Sequence, residues 1–363
     1  MRQFLRVPYP IYRGDPNWVP PLLVERKHHL SHRNPVFDHL QWGAWVAIRG
    51  GRTVGRISAQ IDDLHQQLHA DDTGFFGMIE SVDDVAVFRD LLDTAGRWLK
   101  DRGMRRVRGP FNLNINEECG LLVDGFDTPP SLMMGHARPD YRHRLAECGF
   151  VGVQDTLAYQ LAPDFEAPKV MQRLLSDVTR RATIRPLRRD RLDQELATLR
   201  DIFNDAWSAN WGFVPFTEAE FAEIGRTMLL LACPEMVQIA EVDGRPAAMI
   251  VALPNLNEVI ADMGGRLLPI NWAKLLWRLK VRYPRSARVP LMGVRREFQN
   301  TRLGPGLAFA VIDSVRKILI RRGIREVELS WILEDNMGMR NIIEALGGVA
   351  YKRYRIFEKS LGE

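Results

Sequence analysis

The sequence predicts an α/β protein built from two similar copies, each a mixed sheet flanked by helices. Three observations predict it. Stretches with strand-like alternation take turns with stretches of helical periodicity along the whole chain. The same order of elements is written twice. In the second copy a turn bearing two glycines joins an apolar strand to a long helix.

The first copy opens in a short helical stretch near Phe4 to Tyr12, and its Asn17-Trp18-Val19-Pro20 is echoed by Asn210-Trp211-Gly212-Phe213-Val214-Pro215. A hairpin follows in each copy, Trp45 to Ile61 and Val237 to Leu253, with a Gly-Arg turn between alternating strands. The apolar run Gly74 to Glu80 answers Val289 to Val294 as the next strand. Helix Val85 to Arg102 answers Leu307 to Arg322, and both end in Arg-Gly, a natural helix stop. Strands Arg105 to Arg108 and Glu326 to Ser330 come next. Each copy then runs through a helix, Tyr141 to Phe150 or Met339 to Gly348, into a closing strand, Val151 to Leu161 or Val349 to Lys359. The second copy alone has an opening strand, Thr183 to Leu187, and a helix, Leu192 to Trp207, before its hairpin. Turn-forming Ala162 to Pro168 and the basic helix Lys169 to Arg181 separate the copies. The expected domains are therefore 1–163 and 183–363, with a linker helix at 164–182.

A chain of 363 residues suits two domains, and 46% apolar with 26% charged residues is ordinary for a soluble protein with a sizeable core. Three cysteines with no metal-ligand spacing fit a reducing cytoplasm, and no metal site is expected. The formal charge of +5 favours anionic partners, but basic residues are interleaved with acids and no nucleic-acid motif is visible. The N-terminus carries neither a long apolar core nor a cleavage site, and no stretch approaches a membrane span. The expected location is the cytoplasm, with the inner face of the cell membrane as a peripheral site.

The turn after Val294 concentrates features that suit an anion. Gly304 and Gly306 allow close backbone approach, and the helix that begins there offers unpaired N–H groups and a positive dipole end. Arg295, Arg296 and Arg302 add charge beside them. The strand, the G-x-G turn and the helix resemble the acyl-CoA pyrophosphate site of the GNAT-type N-acyltransferases, whose motif is Q/R-x-x-G-x-G/A. Thr301 stands where Gln or Arg is expected, with Arg302 one place later. The whole chain is similar to a two-copy bacterial branch of that family, through Tyr12–Leu22, Arg33–His39, Gly55–Asp62, Gly109–Pro130 and Asn210–Phe221. Some members of that branch resemble bacterial ceramide synthases.

The resemblance implies two tandem GNAT folds, the first degenerate and the second holding the donor. It implies acyl-CoA, or an acyl carrier protein, as a co-substrate rather than a permanently bound cofactor, and an amine acceptor, with a lipid amine among the candidates. The donor-binding residues it implies are Val294, Arg295, Arg296, Arg302, Leu303, Gly304, Pro305, Gly306, Leu307 and Asn336. A backbone N–H of Gly293, Val294 or Arg295 would support the thioester carbonyl.

Acyl transfer to an amine needs a base for the ammonium proton, a donor for the oxyanion and an acid for the thiolate. The family's helix tyrosine, in N-x-x-A-x-x-L-Y, is replaced by Ile343, which leaves Tyr351 and Tyr354 as the nearest phenols. Glu328, alternating away from Val327, Leu329 and Trp331, and Glu334, just beyond that strand, are the expected bases, with Glu297 a third candidate. Catalytic roles are thus expected at Glu328, Glu334 and Tyr351. In the first copy Glu80 to Asp84 is acidic where a pyrophosphate would bind, which argues against a second donor site. Asn112, Asn114 and Asn116 read either as a polar loop shaping the acceptor pocket or as a twisted edge strand. Finally, Pro269 to Arg288 joins Trp272, Leu275, Leu276 and Leu279 at helical spacing to Lys274, Arg278, Lys280, Arg282, Arg285 and Arg288. It reads either as an interfacial membrane helix or as a core-packed helix with a basic face.

Overall fold

The computed structural model describes residues 1–362. The chain begins in three short helices, α1 (Arg2–Arg6), α2 (Pro8–Ile11) and α3 (Leu23–His29), and enters a hairpin, β1 (Leu40–Arg49) and β2 (Arg52–Asp62). Next come α4 (Asp63–His69), β3 (Thr73–Ser81), α5 (Val85–Lys100) and β4 (Arg106–Gly109). Two short strands, β5 (Phe111–Asn112) and β6 (Glu118–Cys119), precede β7 (Leu121–Asp124), α6 (Tyr141–Glu147) and β8 (Val151–Leu161).

The second half runs α7 (Lys169–Val178), β9 (Ala182–Pro186), α8 (Leu192–Ala206) and α9 (Glu218–Met228). The hairpin β10 (Val237–Val242) and β11 (Arg245–Pro254) leads through α10 (Leu256–Ile260) and α11 (Asn271–Lys280) to β12 (Ser286–Val294). Last come α12 (Arg296–Gln299), α13 (Leu303–Arg321), β13 (Glu326–Leu333), α14 (Met337–Ala345) and β14 (Val349–Ser360).

Local chemistry accounts for many of these boundaries. Asp84 caps α5 by accepting from the Ala86 N–H, and the helix buries Val87, Phe88, Leu91, Leu92, Ala95 and Leu99 along one face. Thr217 and Glu220 form a complete capping box at the start of α9. β3 and β11 are buried along nearly their whole length, as strands covered on both faces are.

The residues divide into two compact units. The first holds Met1–Leu157, Ile260–Trp272 and the chain from Tyr351 on, and the second holds Ala158–Val259 and Ala273–Ala350. Within the first, the sheet order is β1-β2-β3-β4-β14, with β7 also on β14. Among the described residues no strand lies beyond β1 in this sheet. Within the second, the order is β13-β12-β11-β10-β9, with β8, whose residues from Ala158 on belong here, beside β13.

One pairing differs from the expected arrangement. β14 closes the first unit, pairing antiparallel with β4 from Phe357↔Gly109 to Ser360↔Arg106. Arg108 donates two hydrogen bonds to Glu358 across that ladder, at 2.9 and 2.6 Å. Both closing strands follow the same kind of helix with similar alternation, so nothing local distinguishes their destinations.

Candidate active site

In the second unit β12 and β13 pair in parallel only from Ser286↔Glu326 to Val289↔Leu329, although β12 continues to Val294 and β13 to Leu333. The place where they part has a local cause. Against β11, the register steps from Leu253↔Arg288 to Val251↔Leu291, so β12 carries an extra residue at Val289-Pro290, and proline has no N–H for a ladder.

Beyond the bulge, the two edges of β12 alternate. The Arg295 N–H donates to the Ala247 carbonyl at 2.8 Å, so Val294, one residue earlier, turns its N–H and C=O away from β11. The carbonyls on that far side are met by side chains: Val294 accepts from Gln299 Nε2 at 2.8 Å and Met292 from Trp207 Nε1 at 3.2 Å. The Val294 N–H is left directed to the side from which β13 has departed.

The turn that follows is α12 and the start of α13. Arg295 is half-buried, with Nε donating to the Pro246 carbonyl at 2.8 Å, whereas Arg296 and Arg302 are exposed. Arg296 also donates its N–H to Asp205 at 2.8 Å and its guanidinium to Ser208 at 3.2 Å. At the mouth of α13, Thr301 Oγ1 accepts from the Leu303 N–H at 3.2 Å, and the Thr301 carbonyl accepts from the Gly304 N–H at 3.3 Å. The turn thus supplies partners for two first-turn donors itself.

The two glycines have packing reasons of their own. A Cβ on Gly304 would lie 2.5 Å from the Phe298 carbonyl oxygen, and one on Gly306 would strike Val178 of α7. Gly306 and Leu307 are buried, and Pro305 is exposed between the glycines. Gly304→Asp is therefore expected to unfold or strongly destabilise the unit, and it is unsuitable as a probe of donor binding.

Glu328 is not on a wet face. It is 4% exposed and stands beside Arg288, its register partner on β12, which is 1% exposed. Ser330 Oγ donates to Glu328 Oε1 at 2.6 Å, and Arg288 Nε lies 2.8 Å from Ser330 Oγ and 3.6 Å from Glu328 Oε1. The Arg288 guanidinium also lies over the Trp331 ring, 4.7 Å from its centroid. The buried arginine partner is the feature sequence reasoning missed. Its signal was a cation inside an otherwise apolar strand, Ala287-Arg288-Val289.

Glu334 follows β13, half-buried, and its carbonyl accepts from Arg340 at 2.6 Å. Asn336 caps α14, its side chain accepting from the Met339 N–H at 3.1 Å. Ile343, at the family's tyrosine position, is buried. Tyr351 is half-buried on the part of β14 that belongs to the first unit, so it is not grouped with Glu328 and Glu334 within one unit. Glu297 is exposed in the first turn of α12.

The acidic stretch in the first copy is used locally. Asp84 caps α5, Asp83 pairs with Arg144 at 2.6 Å, and Glu80 is drawn inside the unit. Where β3 and β4 part, after Phe75↔Arg108, the chain's own β5 enters: the Asn112 side chain accepts from the Met78 N–H at 2.8 Å.

α11 reverses the usual pattern of a surface helix. None of its residues is buried, and the exposed set is Trp272, Ala273, Leu276, Trp277 and Lys280, while Lys274 and Arg278 are half-buried. Arg278 donates to the Val259 carbonyl at 2.6 Å. Arg288, grouped with this basic stretch in the sequence, is instead inside β12. Leu268, Ile270 and Val281, outside the helix, are each at least 70% exposed. Among the described residues no helix is long and apolar enough to cross a membrane.

No family model matches the chain. It is 49% identical over 362 residues to Protein YghO of Escherichia coli (strain K12), a match covering 99% of this chain and 93% of that one. It is 45% identical over 364 residues to the bacterial ceramide synthase of Caulobacter vibrioides, covering 99% and 95%. Among solved structures it is similar to a tandem GNAT protein from the clavulanic acid biosynthesis pathway, with a TM-score of 0.58 at 15% identity over 100% of this chain and 95% of that one. It is also similar to a GCN5-related N-acetyltransferase from Sphaerobacter thermophilus, with a TM-score of 0.54 at 12% identity over 99% and 92%. These two likenesses establish the fold, a tandem GNAT fold, as the element order implied.

Proposed function

Since this chain belongs to the two-copy bacterial branch of the GNAT-type N-acyltransferases, we propose that it moves an acyl group from acyl-CoA to the amine of a long-chain or sphingoid base. The observation that carries the acceptor is the 45% identity to a bacterial ceramide synthase along nearly the whole of both chains. The donor reading is supported by the parting of β12 and β13 beside the Val294 N–H.

In this reading the thioester carbonyl accepts from Val294, where a developing oxyanion gains most from a fixed donor. Arg295, Arg296 and Arg302 face the phosphates, together with the backbone from Leu303 to Leu307 and, at the start of α14, Asn336. The ammonium must lose a proton before it attacks, and Glu328 or Glu334 takes it. An acyl carrier protein in place of CoA would present the same thioester and phosphopantetheine arm.

A second reading is a donor-binding protein without catalysis, favoured by the engagement of Glu328 with Ser330 and Arg288. Incubating the purified chain with an acyl-CoA and a long-chain amine, and weighing the products by mass spectrometry, separates the two. A new amide supports transfer, and a thermal shift with acyl-CoA but no amide supports binding alone. Arg302→Glu, on an exposed residue, is expected to weaken CoA binding about tenfold or more with little change in melting temperature. Unchanged affinity in that variant would remove the turn from the donor site.

The apolar exposed face of α11 supports a peripheral location on an anionic membrane, where a lipid amine would be met.

A further inference from the structure

We infer that Tyr159, on β8, is a positioning residue for acyl transfer in the second unit: acting through Arg340, it fixes the turn between β13 and α14 that carries Glu334. The inference rests on the acyl-transfer reading for the reaction that Tyr159 serves, and it selects Glu334 over Glu328 as the group that takes the amine's proton. The tie itself rests on contacts within the second unit and on a difference between the two copies.

The contacts form one chain of hydrogen bonds. Tyr159 is 1% exposed, and its Oη accepts from Arg340 Nε at 3.0 Å and donates to Glu344 Oε1 at 2.7 Å. Both partners lie on α14, one turn apart, with Arg340 Nε 3.9 Å from Glu344 Oε1. At its other end the same guanidinium holds the turn. Arg340 Nη1 donates at 2.6 Å to the carbonyl of Glu334, the first residue beyond β13. A guanidinium is a rigid planar fork, so fixing Nε on the buried phenol fixes the direction of Nη1.

Burial does little for this turn. Glu334 is half-buried, and Asp335, Asn336 and Met337 are exposed. Its shape comes from hydrogen bonds: the Asn336 N–H donates to the Leu333 carbonyl at 3.0 Å, the Met337 N–H donates to the Asp335 carbonyl at 2.8 Å, and Arg340 clamps Glu334 between them. A carboxylate on such a turn stays where a proton must be taken only if the turn is held.

The first copy lacks this tie. The equivalence of Tyr141–Phe150 with Met339–Gly348, continued into the closing strands, sets Arg142 against Arg340, Ala146 against Glu344 and Phe357 against Tyr159. Phe357 is buried, and Arg142 is exposed with Nη1 3.5 Å from the Val123 carbonyl. A closing strand therefore buries an aromatic ring at this position without needing a hydroxyl. The copy that has the phenol and the carboxylate is the one that also has the glycine turn and the parted strands β12 and β13. The exchange of closing strands gains a consequence here. β8 beside β13 brings a tyrosine to α14, where β14 in that place would bring Phe357.

The test uses the full chain as Tyr159→Phe, Arg340→Gln and the double variant, each checked by a thermal melt. Phenylalanine keeps the ring, as Phe357 does in the first copy. With acyl-CoA and a long-chain amine, Tyr159→Phe should lower kcat about tenfold or more and leave the KM for acyl-CoA unchanged, because a misplaced base costs rate rather than donor affinity. Since Tyr159 acts through Arg340, its removal should cost little more in an Arg340→Gln chain, a non-additivity that two independent structural losses do not give. Hydrogen exchange reads the turn without substrate: the Asn336 and Met337 amides should exchange faster in Tyr159→Phe, and those of α13 should not change. A Tyr159→Phe chain with the kcat of wild type, or with a loss that adds in full to that of Arg340→Gln, overturns the inference. Unchanged exchange at Asn336 and Met337 overturns it too. If wild type forms no amide, the acyl-transfer reading falls, and faster exchange in Tyr159→Phe leaves the dependence of the turn on Tyr159 standing.

Discussion

Replacing Arg288 by methionine should lower the stability of the second unit by roughly 3–5 kcal/mol, the usual cost of removing one partner from a buried ion pair. The side chain is 1% exposed, and its loss takes a buried cation from beside Glu328, which is 4% exposed. It also removes a guanidinium from the face of Trp331. A chemical denaturation series reads the loss directly. Replacing Glu328 by leucine in the same chain should recover most of it, because an apolar pair of similar volume is often as stable as the ion pair it replaces. The same double variant separates structure from chemistry. If Glu328 takes the amine's proton, the double variant is stable and inactive; if Glu334 takes it, activity returns with stability. A single Arg288→Met variant as stable as wild type would show that the pair is not what holds β12 against β13.

Glu328 also shows where the sequence stops being informative. Alternation puts Glu328 on the opposite face of β13 from Val327, but it does not say that this face is wet. In a strand with cover on both sides, a carboxylate on the apparent outer face needs a partner, and that partner lay in a distant segment classed with a basic helix. The same limit explains β14. The repeat, the strands, the long helices and the glycine turn were legible because periods of 2 and 3.6 are local properties. Partner choice is not local, and two equivalent closing strands carry the same local signals. At the α13 turn the glycine motif was visible, but its packing role was not, since Val178 and Phe298 meet those glycines only in three dimensions. Glu80 read as one of a run of acids where a pyrophosphate would bind, whereas Asp83 and Asp84 serve the surface and the cap and Glu80 turns inward.

α11 was open to two readings, and the exposure of its residues argues against the core-packed one. A core-packed helix buries its apolar side, yet Trp272 and Trp277 are each 51% exposed and Leu276 is 47% exposed. Substituting both tryptophans by serine is therefore expected to change the melting temperature little, as surface changes away from packed contacts do. Binding to anionic vesicles should change greatly. Burying the exposed part of a tryptophan, on the order of 100 Å², contributes about 2 kcal/mol at the usual apolar coefficient, so losing two lowers the partition about a thousandfold. Lys280 and Arg282, both exposed, add about 1 kcal/mol each near an anionic surface, and salt screens that part alone. Wild-type binding should fall with salt and persist, whereas the double variant should bind weakly at low salt and not at all at high salt. Co-sedimentation with anionic and zwitterionic vesicles, run beside a thermal melt and a sizing column, measures all three quantities. If wild type ignores both vesicles but forms a dimer that the two substitutions dissolve, this face belongs to a second copy of the chain. The membrane would then have no part in delivering the amine.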